Sequence, residues 1–261
     1  MDGLLYALGG TTFTFSMTAL GAAMVFLFRK PSVSLQQIFL GLAAGVMIAA
    51  SVWSLLIPAM EEAEALGMIP AVPVAGGFVL GILFLQLLDR VLPHLHADEN
   101  AVEGMPSSWR RTTLLISAVT LHNIPEGMAV GLSFALAAQH GGAAEISAAI
   151  ALAVGMGIQN FPEGAALALP LRREGFSSRK AFTYGALSGI VEPIFGVLVV
   201  LVAGGVQPLM PWLLSFAAGA MMFVAAEELI PTARGEEHSH AGPLGVMAGF
   251  LVMMLLDTML G

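Results

Sequence analysis

Two closely related six-residue stretches carry the side chains in this sequence that are best suited to chemistry. They read HNIPEG from His122 to Gly127 and QNFPEG from Gln159 to Gly164, and they share four residues. On a helix, side chains three and four positions apart lie on one face, so the first, second and fifth residues of each stretch would crowd together. Their carboxylate, amide and imidazole groups are candidate ligands for a cation. The residues concerned are His122, Asn123, Glu126, Gln159, Asn160 and Glu163.

Both stretches lie inside long apolar runs, where an ionisable side chain is costly and therefore marks a candidate functional site. Each contains a proline that leaves the carbonyl four residues earlier, on Leu121 or Ile158, without its usual backbone partner. A kinked helix with a free carbonyl beside a carboxylate offers oxygen ligands to a cation. Glu192, which is followed by Pro193 in another apolar run, adds a third deep carboxylate with a predicted kink.

The composition predicts an all-α polytopic membrane protein. The chain has 261 residues, of which 57% are hydrophobic and 11% charged, and its mean hydropathy is +0.85. The net charge of -8 gives no indication of nucleic-acid binding, and the lack of cysteine excludes disulfides and thiolate ligands. A spanning helix needs about 20 apolar residues. A single transmembrane domain, 1–261, is expected with helices near 4–28, 34–60, 71–92, 112–138, 144–171, 178–204, 209–231 and 243–260.

The basic residues predict the orientation. With eight helices, all ten Lys and Arg residues fall in or beside loops on one face, which is cytoplasmic by the positive-inside rule, so both termini are expected outside. His122, Gln159 and Glu192 then lie near the bilayer midplane. No Lys or Arg occurs at that depth in the sequence, so the expected counter-charge is a cation from outside the chain.

An internal repeat relates helices two and three to helices seven and eight. Ala43-Ala-Gly-Val-Met47, which leads to Ile57-Pro58, resembles Ala217-Ala-Gly-Ala-Met221, which leads to Ile230-Pro231. Each copy continues with a Gly-Phe pair and then an aspartate in an apolar run. The odd offset of five helices makes the two copies antiparallel, as in the inverted repeats of transporters. The continuing residues are Gly77-Phe78 with Asp89, and Gly249-Phe250 with Asp257.

With these motifs, the chain resembles the ZIP (Zrt/Irt-like protein) divalent-metal transporters, and within them the bacterial GufA-like branch. The resemblance covers all eight helices. Its marks are the two six-residue stretches, Gly189-Ile-Val-Glu192-Pro193, Ala44-Gly-Val-Met47, Glu228-Leu-Ile-Pro231 and Leu256-Asp257-Thr258.

The resemblance implies a 3+2+3 arrangement of helices with a metal site between helices four and five, often binuclear. One metal position would draw on Met47, His122, Glu126, Gln159 and Glu163. The second would draw on Asn123, Asn160 and Glu192, with Glu126 and Glu163 shared between the two. Many relatives have histidine where this chain has Gln159, and some have His-Glu where it has Glu227-Glu228. A more oxygen-rich site leaves the choice among Zn²⁺, Cd²⁺, Fe²⁺ and Mn²⁺ open.

Each candidate ligand also has a purely structural interpretation. The histidine could donate to a backbone carbonyl in the core, and the two carboxyl groups could be protonated acids held by the neighbouring asparagines. Met47 could fill a gap between helices, as methionines often do. Clustering with the carboxylates favours ligation by His122, whereas direct ligation by the asparagines and by Gln159 is left open.

Further polar residues predict a transport path. Asp257 in the outer half of helix eight is the better entrance candidate, and Asp89 lies near the cytoplasmic end of helix three. Glu227 and Glu228 are placed near the inner mouth. Histidines in the adjacent loops could bind metal weakly or simply be solvated; they are His94, His96, His238 and His240.

These observations predict a permease that moves divalent transition metal into the cytoplasm across the plasma membrane, the inner membrane if the source is a Gram-negative bacterium. The metal is the substrate, no cofactor is expected, the lipid bilayer is the surrounding partner, and a homodimer is left open. Two alternatives are an intramembrane metalloenzyme and a proton-conducting carrier. The sequence has no HExxH motif, which weighs against the enzyme.

Overall fold

The computed structural model of the chain describes residues 2–27, 33–91, 111–173, 175–203, 207–234 and 239–260. Within these ranges the chain is helical and has no β-strand. The predicted eight-helix architecture is confirmed. The helices are α1 (Asp2–Ala22), α2 (Val33–Ala65), α3 (Ala71–Val91), α4 (Arg111–His140), α5 (Ala143–Arg173), α6 (Ser178–Ala203), α7 (Met210–Arg234) and α8 (Ala241–Leu260).

The helices have the length and composition of membrane spans. Seven of those in the described ranges are long and apolar enough to cross a bilayer. The eighth, α4, has 30 residues and carries His122, Asn123 and Glu126 in its middle, which lowers its hydropathy. Large apolar side chains such as Leu83 and Leu251 are exposed on the outside of the bundle, where lipid would cover them. The chain is an all-α polytopic membrane protein.

The helices pack in two groups. Bundle A consists of α2, α3, α7 and α8, in which α2 packs mainly on α8 and α3 on α7. Bundle B consists of α1, α4, α5 and α6, in which α1 packs mainly on α5 and α4 on α6. The bundles meet where α5 contacts α2 and α8 and where α4 contacts α7. The predicted site residues of α4 and α5 therefore lie in bundle B at its junction with bundle A.

The packing of bundle A reproduces the internal repeat. Gly81 of α3 lies against the Phe216 carbonyl of α7, and Gly249 of α8 lies against the Leu42 carbonyl of α2. Leu42 and Phe216 directly precede the two matched Ala-Ala-Gly stretches, so Gly81 corresponds to Gly249. The sequence comparison matched Gly77 with Gly249 because each is followed by phenylalanine. The contacts show that this alignment of α3 with α8 was wrong by one helical turn. The match of Asp89 with Asp257 stands, because each aspartate follows its corresponding glycine by eight residues.

Both copies of the repeat contain a π-helical segment that the sequence did not predict. In α2 this segment is Ser51–Leu56, and in α7 it is Ala225–Leu229. Each precedes an Ile-Pro pair, and each isoleucine N–H donates to the carbonyl five residues earlier, on Val52 or Ala225. A proline cannot donate to the carbonyl four residues earlier and its ring clashes with it, so a wider turn relieves the helix just before the proline.

Helix α6 is interrupted where the sequence predicted only a kink. Its first part ends at Ser188, Gly189 and Ile190 form a turn, and the second part begins at Val191. Pro193 cannot donate to the Gly189 carbonyl, which instead accepts from the Glu192 N–H at 3.0 Å. Glu192 therefore occupies the first turn of the second part of α6 rather than the interior of a continuous helix.

The motif glycines allow the helices of bundle B to approach closely. Gly127 of α4 faces the backbone of Glu192, whose Cα would lie 2.5 Å from a Cβ at position 127. Gly164 of α5 faces the Thr18 carbonyl of α1 at a similarly close distance. Contacts of this kind require a residue without a side chain. The last residue of each six-residue stretch therefore places the preceding glutamate beside a neighbouring helix.

Replacement of Gly127 by alanine is expected to destabilise the protein. The added Cβ would overlap the Glu192 backbone, and overpacking of this kind costs about 1–3 kcal/mol. Gly9→Ala in α1 is a matched control, because a Cβ there meets no atom within 4 Å. Thermal unfolding in detergent should show a lower midpoint for Gly127→Ala and an unchanged or higher one for Gly9→Ala. Equal midpoints would contradict the close packing of α4 on α6.

The predicted orientation can be tested by labelling, because the chain has no native cysteine. Ile69→Cys, between α2 and α3, should react in intact cells with a membrane-impermeant maleimide. Lys180→Cys, near the start of α6, should react only after the membrane is opened. Both positions are exposed, so an absence of labelling cannot be attributed to burial. The reverse pattern would show that the termini lie on the cytoplasmic side.

Candidate metal site

All eight predicted ligands are buried in the structure. Six of them have side chains that are essentially inaccessible, and His122 and Glu163 retain 8% and 7% exposure. They come from four helices, α2, α4, α5 and α6. The essentially inaccessible residues are Met47, Asn123, Glu126, Gln159, Asn160 and Glu192.

The two motif carboxylates lie together between α4 and α5. Glu126 is close enough to Glu163 and to Glu192 for their charges to repel one another. Neither carboxyl oxygen of Glu126 has a partner at hydrogen-bond distance and angle, although the side chains of Gln159 and Glu163 lie beside it, and Oε2 of Glu163 has none. The same holds for the amide atoms of Asn123 and for Oε1 of Gln159. Because an unpaired buried polar atom is costly, this concentration of unpaired oxygens requires an explanation other than stability.

A hydrogen-bond network extends from α5 to α6 and α1. The Gln159 amide donates to Asn160 Oδ1 at 2.5 Å. The Asn160 amide donates to Glu192 Oε2 at 2.8 Å, and the Thr18 hydroxyl donates to Glu192 Oε1 at 3.1 Å. Both oxygens of Glu192 are thus engaged, in contrast to those of Glu126. The predicted ligands therefore divide into a partnered group and an unpartnered group.

Glu228 of α7 joins the site through His122. Its Oε2 lies 2.5 Å from His122 Nδ1, which connects bundle A to bundle B. A carboxylate at Nδ1 favours a proton on that nitrogen and leaves the Nε2 lone pair available to a metal. The sequence placed Glu228 with Glu227 at the inner mouth, but only Glu227 is exposed. Consecutive residues of a helix point in different directions, so these adjacent glutamates have different surroundings.

Two further ionisable residues have partners within hydrogen-bond distance. Asp257 of α8 is buried, and its Oδ1 accepts from the Ser54 hydroxyl of α2 at 2.7 Å, while Oδ2 has no partner. Glu62 of α2 is buried, and its Oε2 lies 3.0 Å from Nε2 of His140 at the end of α4. The Glu62–His140 contact joins the two bundles at the end of the molecule opposite Arg234.

Several predicted path residues add little to this geometry. His240 is exposed just before α8. Asp89 belongs to α3, but its side chain lies outside what the structure describes, as do His94, His96 and His238 altogether. Met47 lies in the hydrophobic core of the bundles, and its carbonyl accepts from Ser51 at 2.8 Å.

The carboxylates and His122 do not form a metal site by themselves in this conformation. Among the described residues, no three His, Asp or Glu side chains are grouped closely enough to hold a metal ion. The amide oxygens and Met47 are not of these types. The pair Glu126 and Glu163 would therefore not be enough to bind a metal. Either these neutral groups would act as further ligands, or the carboxylates would have to rotate.

Sequence reasoning missed two partners, Thr18 and Ser54. Thr18 belongs to a stripe of buried threonines, with Thr11 and Thr14, spaced three and four residues apart on one face of α1. That spacing in an apolar helix was a detectable signal that this face meets other polar groups. Ser54 carried no comparable signal, because its direction depends on the π-helical segment.

The comparisons with known proteins agree with this architecture. A model of the ZIP zinc transporter family matches residues 97–257. Zinc transporter ZIP11 of Homo sapiens is 38% identical, covering 98% of this chain and 97% of the relative. Zinc transporter GufA of Myxococcus xanthus is 37% identical over 94% of both chains, and ZupT of Escherichia coli is 35% identical over 90% of both. The resemblance inferred from the motifs is thereby confirmed: the chain belongs to the ZIP zinc transporter family.

Proposed function

We propose that this chain is a permease for divalent transition metals, with Zn²⁺ as its main substrate and Cd²⁺, Fe²⁺ and Mn²⁺ as further candidates. The observation that carries the proposal is the group of unpaired acceptor oxygens on Asn123, Glu126, Gln159 and Glu163, buried between α4 and α5. In the sequence, all ten Lys and Arg residues stand in or beside the loops, and none occurs within the two six-residue stretches. A divalent cation would supply the missing charge and the missing partners at once.

Two neighbouring metal positions account for the ligands. The first uses Met47, His122 and Gln159, the second uses Asn123, Asn160 and Glu192, and Glu126 and Glu163 are shared. The contact of His122 with Glu228 supports ligation through Nε2. Glu126, the least partnered carboxylate, is the natural bridge between the two positions.

The donor set favours a broad choice of metals. It has one imidazole, the thioether of Met47 and several oxygens, and lacks thiolates because the chain has no cysteine. Oxygen-rich sites discriminate weakly between Zn²⁺ and harder ions such as Mn²⁺, whereas additional imidazoles would favour Zn²⁺. Gln159, which replaces the histidine of many relatives, makes this site harder than theirs.

The proposed path runs from the outer face to the cytoplasm. Asp257, with its unpaired Oδ2 beside Ser54, would receive the ion, and Glu228 beside His122 would accept it on the inner side. Glu227 and the loop histidines would complete the exit. The plasma-membrane potential, negative inside, favours inward movement of a double positive charge. A homodimer is compatible with this path, which lies within one chain.

The two rival functions make different predictions. An intramembrane metalloenzyme needs a base beside metal-bound water, and both motif carboxylates are here assigned as ligands. The relatives ZIP11, GufA and ZupT are zinc transporters by name, which also favours transport. A proton-conducting carrier would show proton flux that does not depend on metal.

Loss of the shared carboxylates should abolish transport. In proteoliposomes, the wild type should take up Zn²⁺ saturably, and Glu126→Ala/Glu163→Ala should lower this uptake by more than about tenfold, since even changes beside metal ligands cost that much. Competition by Cd²⁺, Fe²⁺ and Mn²⁺ would rank the substrates.

Glu61→Ala/Glu64→Ala is the matched control, because it removes two exposed carboxylates at the end of α2 and should leave saturable uptake in place. Saturable uptake that survives in the Glu126→Ala/Glu163→Ala protein would overturn the proposed site. Absence of uptake of every ion by folded wild-type protein, in both orientations, would overturn the permease.

A further inference from the structure

Glu192 is held by side chains from two different helices, α1 and α5, and the Thr14 side chain of α1 also lies beside it. The Thr18 hydroxyl of α1 binds Oε1 at 3.1 Å and the Asn160 amide of α5 binds Oε2 at 2.8 Å. Thr18, Asn160 and Glu192 have no measurable exposure, so water does not compete for these bonds. In this arrangement the carboxylate is satisfied without a metal, unlike that of Glu126.

Both donors also have a second acceptor, and it is the same atom. The Thr14 carbonyl lies 3.3 Å from the Thr18 hydroxyl and 3.4 Å from the Asn160 amide. A hydroxyl has one proton and can serve only one of its two acceptors at a time. If Glu192 turned away, the Thr18 hydroxyl could donate to the Thr14 carbonyl instead and would not become an unpaired buried donor. The Asn160 amide has two N–H groups and would keep its bond to Thr14.

We propose that Thr18 is a positioning residue that, together with the Thr14 carbonyl, holds Glu192 in reserve in the metal-free site and releases it to the arriving divalent cation. The inference rests on the proposed metal transport and adds a role for α1, from which no ligand is drawn. Each transport cycle would exchange the hydrogen bond from Thr18 to Glu192 for one from Thr18 to the Thr14 carbonyl, so the buried hydroxyl always has an acceptor.

The packing around Thr18 restricts where Glu192 can go. A Cβ at Gly189 would lie 2.9 Å from Glu192 Oε1 and 3.1 Å from Cβ of Thr18, so this glycine is what allows the hydroxyl and the carboxylate to meet. The break in α6 at Gly189 and Ile190 brings the side chain of Glu192 to this point. The contact is therefore formed by backbone geometry specific to α1 and α6.

Thr18→Val tests the proposal because it replaces the hydroxyl by a methyl group of similar size. Without the competing hydrogen bond, Glu192 should be more available to the metal. Zn²⁺ should bind the purified protein about tenfold more tightly in competition with a metallochromic dye, as expected for loss of a hydrogen bond to a charged group. In proteoliposomes, KM and kcat for uptake should fall together, because release becomes slower.

Three controls separate this role from a structural one. Thr18→Ser, which restores the hydroxyl, should return affinity, KM and kcat to wild-type values. In a Glu192→Ala background, Thr18→Val should cause no further change, since its effect passes through Glu192. Thr18→Ala, which deletes the hydroxyl without adding an atom, repeats the test if the valine variant does not fold.

Unchanged or weaker Zn²⁺ binding by Thr18→Val would overturn the proposal, as would an equal effect with and without Glu192. These outcomes differ from failure of the proposed function. If wild-type protein took up no metal, the permease itself would be excluded, whereas normal wild-type uptake matched by Thr18→Val would exclude only the role of Thr18.

Discussion

The structure is organised around a group of acceptor oxygens buried in an apolar bundle, and no basic side chain in the described part of the chain compensates it. Glu126, Glu163 and Glu192 lie close enough to repel one another, and several oxygens around the first two have no partner. Desolvating such groups is costly, so a fold selected for stability alone would not assemble them. The chain tolerates the arrangement because small residues and glycine contacts hold the helices together elsewhere. Under the proposed function, a divalent cation would remove this electrostatic cost while it is bound.

The helical fold was largely predictable because it follows from composition and periodic breaks in hydropathy. A bilayer admits few backbone structures, so apolar runs separated by polar loops specify the number of helices. The internal repeat was also visible, since Ala43-Ala-Gly and Ala217-Ala-Gly match in sequence. The alignment of α3 with α8 within the repeat was not predictable. Gly81 corresponds to Gly249 because the two make equivalent contacts with neighbouring helices, and the short Gly-Phe match carries no information on those contacts. The π-helical segments were missed for a related reason: proline signals a disturbance without specifying its form.

The candidate site was predictable where one helix supplies several groups and unpredictable where separate helices meet. The spacing within each six-residue stretch indicated its shared face, whereas the meeting of His122 with Glu228 and of Glu192 with Thr18 depends on the packing of α4 on α7 and of α6 on α1. Hydroxyl groups are common in membrane helices, so their partners emerge only from tertiary contacts. The division into a free carboxylate, Glu126, and a held one, Glu192, is likewise a property of the folded bundle.

The most direct test of this account is X-ray absorption at the zinc edge on purified protein loaded with Zn²⁺, compared with Glu126→Gln/Glu163→Gln. The account predicts bound zinc surrounded mainly by oxygen and nitrogen at about 2.0–2.2 Å, and loss of that zinc in the double variant. Glutamine keeps the size of the side chain and removes its charge, so the comparison isolates the carboxylates. An identical zinc environment in both proteins, or no bound zinc in the wild type, would contradict the claim that these buried oxygens exist to receive a cation.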